Sequence, residues 1–140
     1  LQEPTWLRDR FIVMPNVSSG GATTLQRPGF LAHYKSMPCV AGYLDGGMDQ
    51  LGVGDANILD GKVDAYGFKQ LGVFPTSDNR HADFSLLGQH TAWVKWAEPT
   101  AEALRQACLE KKTRILHTQP ETPALIIEAI HVSCRAELRP

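Results

Sequence analysis

Cysteine is scarce in this 140-residue chain, and Cys39, Cys108 and Cys134 stand far apart. They are odd in number and form no Cys-x-x-Cys pair, which argues against a disulfide framework and against a zinc knuckle. Reduced thiols serving as core filler in a cytoplasmic protein are the expectation. No apolar run approaches the roughly 18 residues that a membrane span needs, and the N-terminus shows no basic-then-apolar leader, so a soluble chain is expected. Neither sign of charge dominates. Fourteen Lys and Arg against 15 Asp and Glu give a formal net charge of −1, so no global basic field draws the chain to nucleic acid or anionic lipid, leaving only a local patch for such partners.

Several signatures are also missing. "PNVSSGG" has the small residues and free amides that cradle a phosphate, but no Gly-x-x-x-x-Gly-Lys, so no ATP site is read. "DGGMDQLGVGD" carries Asp45, Asp49 and Asp55 without the one-three-five acid spacing or the terminal glutamate of a calcium loop. No Gly-x-Ser-x-Gly occurs, and no internal repeat or low-complexity tract is found.

What is present is enough apolar sequence, 43% of residues, to bury the core of one domain or of part of a larger one. "FIVMP" (11–15) and "PCVAGYL" (38–44) are short continuous apolar runs of the kind buried on both faces of a parallel sheet. "LGVF" (71–74) is a third such run, and "TAWVKW" (91–96) is a fourth strand with alternating character. "GFLAHYKSM" (29–37) reads as a short helix ended by Pro38. Residues 45–67 are rich in Gly and Asp and read as a long excursion with one helical turn around Ile58 and Leu59. "AEPTAEALRQACLEKK" (97–112) is the clearest helix. Pro99 suits its first position, Glu102 its first turn, and Lys111 and Lys112 its last, with Ala101, Leu104, Ala107 and Cys108 as the buried stripe. "PALIIEAIHVS" (123–133) follows a linker-like "HTQPETP" and reads as a strand of something else. The order of elements argues for α/β with largely parallel strands, too few to close a barrel, which takes about eight.

Chemistry concentrates where the third strand ends. "PTSDNRH" places Ser77, Asp78, Asn79, Arg80 and His81 at a strand's carboxyl end, where α/β proteins build their sites. Asp78 either helps hold a divalent ion at a site assembled from several strands or caps a turn. His81 either shares that ion or is a surface residue, and Arg80 either clamps a phosphate or pairs with Asp78 or Asp83. His33, His90, His117 and His131 read as scattered structural singles.

The run "TSDNRHADFSLLGQHTAWVKWAEPTAEALRQACLEKKTRI" resembles the closing portion of a PHP (polymerase and histidinol phosphatase) domain, in the TrlF-like subgroup fused to ABC/SMC-type ATPases. "FIVMPNVSSGG", "GFLAHYKSMPCVAGYLDG" and "YGFKQLGVFPTSDNR" are similar to the same subgroup in order, so the resemblance covers roughly residues 11–115. It implies the later strands and helices of a distorted β/α barrel over 1–116, a linker over 117–123, and over 124–140 the start of a following ATPase-type domain. It also implies a metal-dependent phosphoesterase or nuclease whose strand ends gather zinc or manganese. In that set Asp78, His81 and Asn16 would be metal ligands, with Asp78, His81 and Arg80 the catalytic group. Three departures stand out. The opening His-x-His of PHP domains is absent, Arg80 holds the histidine's place in Ser-Asp-x-His, and Asn16 stands where a histidine commonly follows the proline. They imply weak or no catalysis by this segment alone. The alternative is a degenerate scaffold or interaction module regulating an attached ATPase in DNA maintenance or defence. The implied partners are that ATPase, the N-terminal half of the barrel, nucleic acid, and a second copy through exposed apolar edges.

Overall fold

Two of the apolar runs lie side by side, and their alternation sends side chains to two separate cores. The computed structural model describes residues 10–20, 24–77, 79, 81–95 and 98–122. Strand β1 (Ala41–Leu44) pairs in parallel with β2 (Gly72–Pro75), in a register from Ala41 opposite Gly72 to Leu44 opposite Pro75. Leu71 and Val73 join Leu44, Val17, Tyr34, Cys39 and Leu59 in one buried cluster. Phe74 packs on the other side, with Ala41, Ala107, Cys108 and Ile115. Burial on both faces explains why these strands read as continuous apolar runs.

A third parallel neighbour lies on the far side of β1. Val17 donates its N–H to Tyr43 O (2.9 Å) and Tyr43 donates to Pro15 O (3.0 Å), forming a parallel bridge between Asn16 and Tyr43. The strand expected at 11–15 is thus reduced to this bridge, because Pro15 has no N–H to give a ladder. Ile12 and Met14 still pack against the second core. The close passage of this chain is why position 42 is glycine: a Cβ there would lie 2.6 and 2.7 Å from the Val17 methyl groups.

Helix α1 (Leu31–Ser36) follows a 3-10 turn opened by Pro28, and Met37 is extended ahead of Pro38, as pre-proline sterics require. Its Tyr34 is fully buried edge-on to Tyr66, with ring centroids 5.1 Å apart. The Tyr34 hydroxyl donates to Lys69 O at 3.0 Å, and burial raises its pKa well above the usual phenol range, so it stays a donor. Lys69 closes the helix by donating to the carbonyls of Tyr34 and Met37, a cation at a helix C-terminus.

Residues 45–67 are more ordered than a long excursion with one turn. They contain a 3-10 turn at Met48–Gln50, helix α2 (Val53–Leu59) and a second 3-10 turn at Asp64–Tyr66. Met48, Leu51, Ile58, Leu59, Val63 and Tyr66 anchor them to the first core; the aspartates and glycines between these residues masked the pattern.

Of the fourth expected strand, residues 91–95 contain β3 (Trp93–Val94), with Trp96 outside the described residues; β3 pairs antiparallel with β4 (Ile115–Leu116), a strand not expected from the sequence. Helix α3 (Ala101–Leu109) presents the expected stripe, with Ala107 and Cys108 buried. Burial pushes the Cys108 thiol up to about 11. The start of α3 differs from expectation: Thr100, not Pro99, sets it, its side-chain oxygen accepting from Ala103 N (3.1 Å). The end differs too, because the chain breaks at Glu110 and Lys111 opens a short α4 (Lys111–Arg114). The architecture is therefore α/β, a small parallel sheet with helices and a separate antiparallel ladder, and no barrel closes among the described residues. The strand expected at 123–133 and the segment 124–140 lie outside the described residues. Of the expected linker, His117 is docked on β2, its Nε2 donating to Val73 O at 2.8 Å.

Candidate functional site at the strand carboxyl ends

Parallel strands end on the same side, so the residues that follow them meet. The chain after Pro15 turns through Asn16 to Ser19, β1 runs out into Asp45, and β2 runs out into Thr76. Asn16 donates from Nδ2 to Asp45 Oδ2 at 2.5 Å, across 29 positions of sequence. The other end of the same amide accepts from Ser18 N (2.8 Å), and Ser18 Oγ accepts from Asp45 N (2.8 Å). These bonds form a ring that fixes the Asp45 carboxylate at the mouth of β1. Thr76 closes the neighbouring strand end: its N–H is shared between the carbonyls of Leu44 and Gly46, and its hydroxyl donates to Leu44 O (2.7 Å).

A histidine that the sequence pattern treats as a structural single arrives at the same end. His90 N donates to Ser77 Oγ (3.4 Å), and the His90 ring and the Asp49 carboxylate both crowd Gly47. A Cβ at Gly47 would lie 2.5 Å from Asp49 Oδ1 and 3.0 Å from His90 Nδ1. Both groups thus stand close against Gly47, and a side chain there would have to push them aside. The signal that could have found His90 is topological, because it closes the loop that leaves the carboxyl end of β2.

Of the residues expected to hold metal, Asn16 sits in this cluster, bonded to Asp45 as described. His81 is exposed in a turn, where its carbonyl accepts from Asn79 Nδ2 (3.0 Å) and from Phe84 N (3.1 Å). Asn79 uses its other end to accept from Leu86 N (3.2 Å), so it ties the turn together. Asp78 and Arg80 lie outside the described residues. Among the described residues no three His, Cys, Asp or Glu side chains assemble as a metal site. The Asp45 carboxylate is an oxygen donor of the kind that suits manganese or magnesium better than zinc, while the Asn16 amide oxygen is already taken by Ser18 N. No helix among the described residues is long and apolar enough to cross a membrane.

The sequence matches no protein-family model, and neither a curated protein nor a solved structure matches it at a significant level.

Proposed function

We propose that the chain is the later part of a PHP-like, metal-dependent phosphoesterase or nuclease domain that works with an ABC/SMC-type ATPase and has little activity alone. In this reading the parallel strands belong to a distorted β/α barrel completed by an N-terminal half. The single observation that supports it is the meeting of Asn16 and Asp45 at the carboxyl ends of adjoining parallel strands, with Asp78 only two positions beyond Thr76 at the next strand end. A divalent ion, when bound there, would neutralise charge developing on a phosphate ester. Asp45 and Asp78 would hold carboxylate oxygens toward it, Asn16 would orient Asp45, Arg80 would bind a phosphate oxygen through its guanidinium fork, and His81 would carry a proton at the exposed rim.

The test is manganese titration by calorimetry, together with hydrolysis of bis(p-nitrophenyl) phosphate. Manganese should bind, and a slow hydrolysis should vanish in Asp78→Ala and fall in Asp45→Ala. A protein indifferent to manganese at millimolar concentration, or hydrolysis unchanged by both substitutions, overturns the reading.

A second reading, a non-catalytic scaffold that regulates the attached ATPase, is favoured by one feature. The Asn16 amide is satisfied at both ends, by Asp45 and by Ser18 N, so turning its oxygen toward an ion forfeits a hydrogen bond. Under this reading Asp78→Ala leaves control of the ATPase intact, while Trp93→Ala or a charge placed at Cys108 abolishes it.

A further inference from the structure

Away from the strand ends, a cavity of about 210 Å³ opens between α2, β2 and the chain that follows α4. Its walls are apolar, made by Met48, Leu51, Ala56, Leu59, Val73 and Ile115. Its rim is polar, and the hydrogen bonds show which rim groups are already committed. Asp60 Oδ1 accepts from Lys111 Nζ at 2.7 Å, and its other oxygen lies 3.3 Å from Lys62 Nζ. Lys111 spends its remaining protons on Leu59 O (2.8 Å) and Leu71 O (3.0 Å). A carbonyl only accepts, so the Nε2 of His117 must carry the hydrogen it gives to Val73 O. Lys112, also on the rim, makes no hydrogen bond or ion pair among the described residues. Among the described residues the rim therefore presents one uncommitted full charge, and it is positive.

From this we infer that the cavity is a binding site for a small monoanion with an apolar body, a monocarboxylate whose tail fills the slot and whose head pairs with Lys112. One free cation selects a monoanion over a phosphate dianion, which would leave a second charge unmatched beside the Asp60 carboxylate. The wall composition excludes a ligand that is polar throughout, since apolar walls give its polar groups no partners. The site lies outside the Asn16–Asp45 cluster and does not depend on the phosphoesterase reading.

The test is a titration of the 15N-labelled chain with octanoate, followed by NMR. Amide shifts should map to Leu51, Ala56, Val73 and Ile115. Lys112→Ala, a surface change, should weaken octanoate by about fivefold, the scale of one exposed ion pair, and should leave 1-octanol unaffected. Ala56→Leu fills the slot and should abolish binding of both. The inference is overturned if octanoate moves none of these amides up to millimolar concentration, or if 1-octanol binds as tightly as octanoate. It is equally overturned if Lys112→Ala leaves octanoate affinity unchanged.

Discussion

Replacing Lys111 with methionine keeps most of the apolar stem and removes the charge. In the native protein the ammonium ties three elements together: the end of α2 through Leu59 O and Asp60, the start of β2 through Leu71 O, and its own helix α4. The lysine side chain is 12% exposed and Asp60 33%. Removing one partner of a fully buried pair costs about 3–5 kcal/mol. Asp60 reaches water and keeps Lys62, so part of that cost is recovered and about 2–3 kcal/mol remains. For a domain of this size that lowers Tm by roughly 6–9 °C. Urea unfolding followed by far-UV circular dichroism at neutral pH measures it directly. The pH dependence adds a second check. The hydrogen bond from Lys111 is the main influence holding the Asp60 carboxyl below its ordinary 3.8. That stabilisation is present above the unfolded-state pKa and is lost as pH falls through the lower folded value, so the gap between native and Lys111→Met should be full at neutral pH and narrow below about pH 4. A loss under about 0.5 kcal/mol, the range of an ordinary surface change, would refute the reasoning. So would an equal loss from Lys62→Met, because Lys62 is 59% exposed.

Two further substitutions probe the scaffold. Gly42→Ala drives a methyl into the Val17 side chain and toward Pro15 O, and should cost about 1–3 kcal/mol by overpacking. Adding Val17→Ala should recover part of that loss, and strict additivity of the two in urea titrations would show that no clash exists. Thr100→Ala removes the acceptor for Ala103 N at the start of α3 and should cost about 1 kcal/mol. Thr100→Ser should retain most of the stability, and equal destabilisation by both would mean that the hydroxyl is not the cap.

Local pattern carried a good part of the fold. The apolar runs at 38–44 and 71–74 contain β1 and β2, and the stripe from Ala101 to Cys108 is the buried side of α3. Such elements are legible because their periodicity or continuous burial is written into consecutive residues. Residues 45–67 were not. Their helical turns are short, rich in glycine and aspartate, and held by packing against the first core rather than by propensity. The pairing of β3 with β4 escaped for a related reason, since two residues contain no period to detect.

At the candidate site the chemistry of the residues was readable, but their company was not. Asparagine and aspartate at strand ends are visible in one dimension; that Asn16 bonds Asp45 rather than a neighbour depends on two strands lying parallel. His90 illustrates the same limit, because nothing adjacent to it in the chain hints at Asp49 and Gly47. Lys111 looked like a helix-terminal charge and is a half-buried clamp on Asp60, 51 positions away. Composition and spacing thus settled the kind of elements and the apolar surface that each must hide, since both follow from bonds between near neighbours. Which polar groups share a site was settled by the packing of the sheet and helices, because a hydrogen bond reaches about 3 Å in space and takes no account of distance along the chain.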